Sequence, residues 1–554
     1  MRFARAPGAV SLGLACVVAL AAGCAPRGDL PTQHEPELHP YGDGIKLLEV
    51  NCAVRLGDID LEVGTNRGPV SWPGSPDAPQ SDYAENFREF GIGAIRSHDF
   101  YGPTDWWVIF PDFAADVDAE ASYDFASSDQ RIAAICDAGF ECLYRLGTSW
   151  KGDNPLPIND PPGTVRMPGG RVFHVADRDD CRKWARICAH VVRHYNQGWS
   201  AGHQYGIRYW EVWNEPDMSA QFWSGTPAQY FMLYEETAKA LKMLKMPKGA
   251  LKIGGPGLSG AFTPVYLEGF LRSCRKTGAP LDFYSWHTYG GRDEYNPYCY
   301  YEYGMRVRQA LNKYGYTSAE SIVTEWNAGL RDEVFSDTPA GVAYYASALM
   351  NMLSAGVSRA FQYVGDDHPM LGLHEKGTDR PVRATQALAA WKRMRETPLR
   401  VTALGSDERG YNILAGTDER GSRVQILISD YQSGYSGWAL RVENLPWGDQ
   451  TPYVATRWLL DPQRTELEVV DTIKGTGRTF VLKRRMSRRT ICLIEIRRKQ
   501  PVRQTGVPPV PRRVEPEPRP RPGPPRRPPA GGDPDRPTRR GTMPGDDEAP
   551  GSRP

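Results

Sequence analysis

Cysteine is scarce in this chain, with 10 in 554 residues, a density far below that of a small disulfide scaffold. Two of the ten, Cys16 and Cys24, lie in the leader; the other eight, an even number, permit disulfides in an exported protein, with buried thiols as the default. Cys136/Cys142 and Cys181/Cys188 are the close pairs, and neither has Cys-x-x-Cys or His-rich metal spacing, so no metal or organic cofactor is expected. Excess charge is also missing: a formal net charge of +1 supplies no global attraction to nucleic acid, and none is expected as a partner. A membrane span is not found in the leader either, because the apolar run from Ala9 to Ala22 is too short to cross a bilayer.

That run follows Arg2 and Arg5 and ends in Ala21-Ala22-Gly23-Cys24, which reads as a secretory signal closing in a lipobox. Lipidation at Cys24 would anchor the mature protein to the membrane of a bacterial cell envelope; plain cleavage would leave it secreted. Residues 25–44 are polar and Pro-rich and read as a tether. Residues 500–554 are dominated by Pro, Arg and Gly and bury too little to offset their ordering entropy, so they are expected to be a disordered tail.

Between these ends, strand-like and helix-like segments alternate, the pattern of a parallel sheet covered by helices. Strands are expected at Lys46 to Cys52, Gly93 to His98, Glu141 to Gly147, Ile207 to Asn214, Leu251 to Gly255, Asp282 to His287, Ser321 to Glu325 and Ala360 to Val364. Helices are expected at Asp129 to Ala138, Arg178 to Tyr195, Pro227 to Leu244, Pro264 to Lys276, Met305 to Tyr314 and Ala340 to Ala355, with Thr226 as an N-cap before Pro227. The fold class is therefore α/β: a (β/α)8 TIM barrel over residues 45–397, then short alternating runs over 398–499 that predict an antiparallel β-sandwich without a catalytic pattern.

Two stretches carry the chemistry. Tyr209-Trp210-Glu211-Val212-Trp213-Asn214-Glu215-Pro216 and Ile322-Val323-Thr324-Glu325-Trp326-Asn327 each deliver a glutamate to the end of an apolar strand, strands four and seven by count. Paired carboxylates so presented suit glycosidic bond cleavage, which needs one protonated carboxyl at the leaving oxygen and one ionised carboxylate at the anomeric carbon. Asn214, just before the first glutamate, is placed to bond a sugar C2 hydroxyl. The aromatic content of 11% would suit stacking on sugars, although most Trp fills cores.

Further motifs accompany the pair: Ile95-Arg96-Ser97-His98, Gln221-Phe222-Trp223, the helix opening Ala228-Gln229-Tyr230-Phe231, Leu251-Lys252-Ile253-Gly254-Gly255-Pro256 and Leu281-Asp282-Phe283-Tyr284-Ser285-Trp286-His287-Thr288-Tyr289. With them the chain, from about Ile45 to His374, resembles the clan A retaining glycosidases and is most similar to glycoside hydrolase family 39, the group of β-xylosidases and α-iduronidases. The resemblance implies a carbohydrate substrate, Glu215 as general acid/base and Glu325 as nucleophile. It implies His287 and Tyr289 beside the nucleophile, His98 on a sugar hydroxyl, and Trp223 and Trp326 as cleft walls. Tyr363 stands where clan members offer a Trp platform, so the sugar is left open. An endo-acting polysaccharide hydrolase of the same clan and a catalytically silent glycan-binding lipoprotein are the alternative readings.

Overall fold

The computed structural model describes residues 44–499, apart from 72–79, 151–163, 167–171, 175–176, 219–220, 224, 262, 292–294, 331–334, 369–370 and 409. The leader with Cys24, the tether, the tail and most of residues 151–175, a stretch rich in Pro and Gly, therefore lie outside the described residues. No described helix is long and apolar enough to cross a membrane. All eight described cysteines are free thiols.

Eight parallel strands close into a barrel: Glu62–Asn66, Ala94–Arg96, Glu141–Leu146, Tyr209–Val212, Lys252–Leu258, Phe283–Tyr289, Glu320–Asn327 and Val357–Gln362. Seven were anticipated; the first was misassigned. The strand expected at Lys46 to Cys52 exists as Ile45–Asp58, but it belongs to the other sheet, parallel to Gly437–Glu443 and antiparallel to Leu399–Leu404. The reason is physical. Ile45–Asp58 carries its apolar residues on one face, burying Leu48 and Val50 while exposing Leu47, as an antiparallel-type sheet wants. The true first strand is buried along Val63-Gly64-Thr65-Asn66 but holds one large apolar residue, so its hydrophobic signal is weak.

All six expected helices form, five within three residues of their bounds and the one expected from Met305 starting six residues earlier at Cys299, and Thr226 caps Pro227–Lys242 in a reciprocal capping box with Gln229. Among the described residues three further α-helices form beyond those expected, Ala84–Phe90, Trp106–Ile109 and Thr385–Met394, of 7, 4 and 10 residues. Segments this short show few turns of periodicity.

The second sheet has nine strands, with Ile45–Asp58 joining eight from the C-terminal region, and is antiparallel except at that strand's pairing with Gly437–Glu443. It curls over one core. Tyr453 and Phe480, on strands near opposite edges, bring their rings to 6.2 Å, and Leu48, Ile426, Trp438 and Ile494 are buried with them. This is the expected sandwich, closed by curvature within one sheet. Its other face packs on the barrel through Pro339–Ser354, where every residue from Gly341 to Leu353 is buried. A helix apolar on all sides needs cover on all sides. Barrel strands cover one flank, and Leu427, Leu493 and a Ser347–Ser429 hydroxyl contact of 3.0 Å cover the other.

Inside the barrel, alternation along the strands builds layers. Ala94, Leu143, Tyr209, Phe283, Ile322 and Phe361 form an apolar floor. Two residues on, the same inward face carries Arg96, Arg145, Glu211, Ser285 and Thr324, all buried. The polar layer toward the C-terminal strand ends is thus a consequence of strand period, and it lies where barrel chemistry is built.

Candidate active site

Strand period alone would turn Glu325 outward, since Thr324 already faces in. A register shift between Val323 and Glu325 against the sixth strand sets Glu325 opposite His287 and re-aims it into the barrel. Glu215 arrives differently, on a turn in which Trp213 (φ 77°) and Glu215 (φ 45°) occupy left-handed backbone. Its N–H donates to the Gly257 carbonyl at 2.8 Å. Such conformations in non-glycine residues cost of order 1–3 kcal/mol and persist where the surroundings impose them.

Carboxylate oxygens of Glu215 and Glu325 lie, with a His287 ring nitrogen between them, within 4.8 Å of one another. His287 Nδ1 is 2.8 Å from Glu215 Oε1 and 3.5 Å from Glu325 Oε2, and its Nε2 is 3.1 Å from Thr324 Oγ1. Tyr289 donates to Glu325 Oε2 at 2.6 Å. On the other side Arg96 donates to Glu325 Oε1 at 2.8 Å, to Asn66 Oδ1 at 3.0 Å, to Asn214 Oδ1 at 2.6 Å and, through Nε, to Glu211 Oε2 at 2.7 Å. Glu325 is therefore held by a cation and a phenol, while among the described residues the Glu215 side chain has only the His287 imidazole.

That difference separates their protonation. Burial first, and the negative charge of Glu325 second, raise the Glu215 carboxyl well above the ordinary carboxylate range. Burial also raises Glu325, to about 7, but the Arg96 guanidinium and the Tyr289 hydroxyl pull it back. The pair loses its first proton at Glu325 and keeps the second on Glu215. Burial and Arg96 hold both His287 and His98 far below an ordinary histidine, hence neutral.

Of the expected site residues, Asn214 is buried with its Oδ1 on Arg96 and its Nδ2 without a partner, a donor that a sugar hydroxyl would satisfy. His98, expected on a sugar hydroxyl, is buried beside Glu325. Its Nδ1 accepts from Arg145 at 3.1 Å, which puts the proton on Nε2, 3.3 Å from Glu325 Oε1 and 3.2 Å from Asp99 Oδ1. Tyr363 is half-buried, sets its ring 6.1 Å from Tyr289 and donates its hydroxyl to Asp99. Trp223 and Trp326 are not cleft walls. Both are fully buried: Trp223 packs edge-on against Trp213 at 5.3 Å and donates to the Thr226 carbonyl, and Trp326 lies 4.8 Å from Tyr345 behind the strand. Trp326 follows Glu325, so once the bulge turns the glutamate in, the indole turns out.

Arg96, Glu211, Asn66 and Asp99 were missed. Arg96 and Glu211 carried a signal, since a charge inside an apolar barrel strand must find a partner. Asp99 carried none: its backbone is left-handed (φ 59°), and its carboxylate accepts from the Trp150 N–H at 2.8 Å as well as from Tyr363. Asp366 is buried too, paired with Arg67 at 2.7 Å.

Gly257 supports both carboxylate arms. It has φ +60°, and a Cβ there would come 3.1 Å from Glu211 Oε1. Gly257→Ala is expected to cost about 1–2 kcal/mol of stability from left-handed backbone and to lower activity by displacing Glu211 and Arg96. Denaturant unfolding alongside initial rates checks this, and a variant as stable and active as the parent contradicts it.

Comparison with known proteins agrees with this geometry. The family model described as glycosyl hydrolases family 39 matches residues 79–356. A beta-xylosidase of Caldicellulosiruptor saccharolyticus is 30% identical over 256 residues, 44% of this chain and 46% of its own length. One from Geobacillus stearothermophilus is 34% identical over 222 residues, 38% of this chain and 40% of its own. The chain thus spans about half the length of the curated relatives it matches. Among solved structures, a glucosidase of Croceicoccus marinus superposes with a TM-score of 0.65 at 26% identity, covering 83% of this chain and 100% of that one. A monomeric beta-xylosidase of Caulobacter crescentus shares the fold, with a TM-score of 0.58 at 18% identity over 82% of this chain and 99% of its own. With the matched family model spanning half its length over a closed barrel that ends in two buried glutamates, this chain belongs to glycosyl hydrolases family 39.

Proposed function

We propose that this protein is a retaining glycoside hydrolase acting on β-linked pyranosides of xylo or gluco configuration, with Glu325 as nucleophile and Glu215 as general acid/base. One observation carries the reading: two buried carboxyl groups with oxygens within 4.8 Å and unequal environments. Retaining enzymes hold the pair about 5–5.5 Å apart, whereas inverting enzymes need about 6.5–9.5 Å to admit water. In the first step Glu325 attacks the anomeric carbon, and Glu215 gives its proton to the departing oxygen. Arg96 and Tyr289 keep Glu325 ionised and aimed. Once the glycosyl ester forms, Glu325 loses its charge, the chief charge raising Glu215 is gone, and Glu215 can take a proton from water. That water releases the sugar with its configuration retained.

The sugar assignment rests on relatives named for xylosidase and glucosidase activity. Xylose and glucose share ring configuration and differ at C5. An aryl glycoside panel tests it: turnover confined to β-xyloside and β-glucoside is expected, and turnover only on α-linked or manno-configured sugars would overturn it. No turnover on any sugar would favour the glycan-binding alternative.

Asp99 holds Tyr363 and stands beside His98, so it positions the rim of this site. Asp99→Asn is expected to lower kcat/KM by roughly 10-fold, the scale of a lost charged hydrogen bond. Tyr363→Phe added to it should cost little more. Fully additive losses in that double-mutant cycle would show that the two residues act separately.

The same proposal places the protein in the bacterial cell envelope, anchored by lipid at Cys24. The leader pattern supports this, and a Cys24→Ser variant recovered in the same membrane fraction as the parent after detergent-free extraction would reject it.

A further inference from the structure

Away from the carboxylate pair, three side chains in the outer helical layer converge: Asp129 in the first turn of Ala126–Cys136, His194 near the end of Arg178–Gln197, and His203 in the following loop. His194 Nε2 is 2.9 Å and His203 Nε2 is 3.5 Å from the same oxygen, Asp129 Oδ1. All three donor atoms lie within 4.8 Å of one another.

The loop is shaped to bring them together. Gly198 (φ 72°), Ser200 (φ 54°) and Ala201 (φ 54°) are left-handed, and the chain returns so that His203 N–H donates to the His194 carbonyl at 2.6 Å and Gly198 N–H to the His203 carbonyl at 2.9 Å. A Cβ on Gly202 would stand 2.6 Å from His194 Nδ1, so only glycine permits this approach. Two non-glycine residues in left-handed backbone are a local cost, and the return brings His203 over the end of the helix.

His194 is buried and fixed. Its ring stacks on Phe125 at 3.5 Å, and Nδ1 faces the Trp199 carbonyl at 2.9 Å. The carbonyl only accepts, so Nδ1 carries the proton and Nε2 turns a lone pair toward the Asp129 carboxylate, which also only accepts. A metal ion between that lone pair and the carboxylate would satisfy both acceptors. An imidazole whose far N–H is tied to a backbone carbonyl is the arrangement that orients a metal ligand. Asp129 and His203 are each about 30% exposed at the side chain, which leaves a solvent path for an ion and an open coordination position.

We propose that Asp129, His194 and His203 form a divalent transition-metal site, zinc by its ligand set, that ties Ala126–Cys136 to the end of Arg178–Gln197. Two imidazoles and one carboxylate suit zinc better than magnesium or calcium, which prefer all-oxygen shells. The site shares no residue with Glu215 and Glu325, so its expected effect is on stability.

The test uses the full chain stripped with chelator and titrated with zinc chloride by calorimetry, with Tm followed in parallel. One zinc per chain and a rise in Tm are expected. Changes to groups that merely orient a ligand already cost roughly 10–100-fold in metal affinity; His203→Ala, which removes a ligand, should weaken binding by about 100-fold and abolish the Tm rise, with glycoside turnover unchanged. Asp129→Asn should behave alike. Glu215, His287 and Glu325 are also close enough to hold an ion, so Glu325→Gln is the control. Zinc binding that survives His203→Ala, or that is lost in Glu325→Gln, overturns the proposal. So does the absence of binding.

Discussion

Glu325→Ala is expected to lower the hydrolysis of every substrate by about 10^5-fold or more, equivalent to about 7 kcal/mol of transition-state stabilisation. The size follows from geometry. Without the carboxylate no glycosyl-enzyme forms, and water cannot replace it in the space between Arg96 and Tyr289 with the same charge at the anomeric carbon. The truncation leaves a cavity lined by the Arg96 guanidinium and the Tyr289 hydroxyl, a setting that favours a small anion. Added azide is therefore expected to restore turnover of an activated β-glycoside and to give the α-azide, because azide attacks from the face that Glu325 occupied. Recovery of the β-azide would exchange the roles of the two glutamates. Loss of the fold would mimic loss of activity, so Glu325→Gln, nearly isosteric, is measured beside it. In that variant Glu215 should also titrate lower than in the parent, since the charge of Glu325 is one of the causes raising it. A Glu215 resonance that titrates unchanged in labelled protein would contradict the coupling.

Glu215→Ala is expected to have the second largest effect, with dependence on the leaving group as its signature. Loss of a general acid costs roughly 10^2–10^4-fold where the departing oxygen needs a proton. An oligosaccharide or alkyl glycoside should therefore lose about 10^3-fold or more in kcat/KM. A dinitrophenyl glycoside, whose leaving group departs without a proton, should still form the glycosyl-enzyme at near the parent rate and then accumulate it, because no base remains for water. A pre-steady-state burst followed by slow turnover is the expected trace, and azide should raise the steady rate and yield the β-azide. Equal losses on good and poor leaving groups would mean that Glu215 acts in binding or folding. In the parent, activity is expected to fall as pH drops and Glu325 takes a proton, and to fall again as pH rises and Glu215 loses one, giving a bell-shaped kcat/KM profile.

Much of this site was legible in the sequence, for identifiable reasons. Glu215 and Glu325 end apolar strands, and counting strands places them at four and seven even though the first strand was assigned to the wrong segment. The count survived because Ile45–Asp58 and Glu62–Asn66 are neighbours, and one stood in for the other. What the sequence did not reveal is side-chain direction where strand period breaks. Glu325 and Trp326 exchange faces through a bulge, so Trp326 was expected in the cleft and lies in the core. The contact of His98 with Glu325 was not legible either, because it depends on Arg145, 47 residues on, which holds the other ring nitrogen. Asp99 became visible only through contacts with Trp150 and Tyr363, which are 51 and 264 residues away. Arg96 is different. A buried arginine two residues beyond the apolar floor of a barrel had to be paired, and the strand period points it at the carboxylates.

Mass mapping of the protein after reaction with a C2-fluorinated glycoside carrying an activated leaving group tests the central claim most directly. The fluorine destabilises the oxocarbenium-like transition states of both steps, and the good leaving group lets the first proceed, so the glycosyl-enzyme is trapped. The account predicts one sugar per chain, linked as an ester to the peptide containing Glu325 and absent from Glu325→Gln. A label on Glu215, or no label from a substrate analogue that the enzyme demonstrably binds, would contradict it.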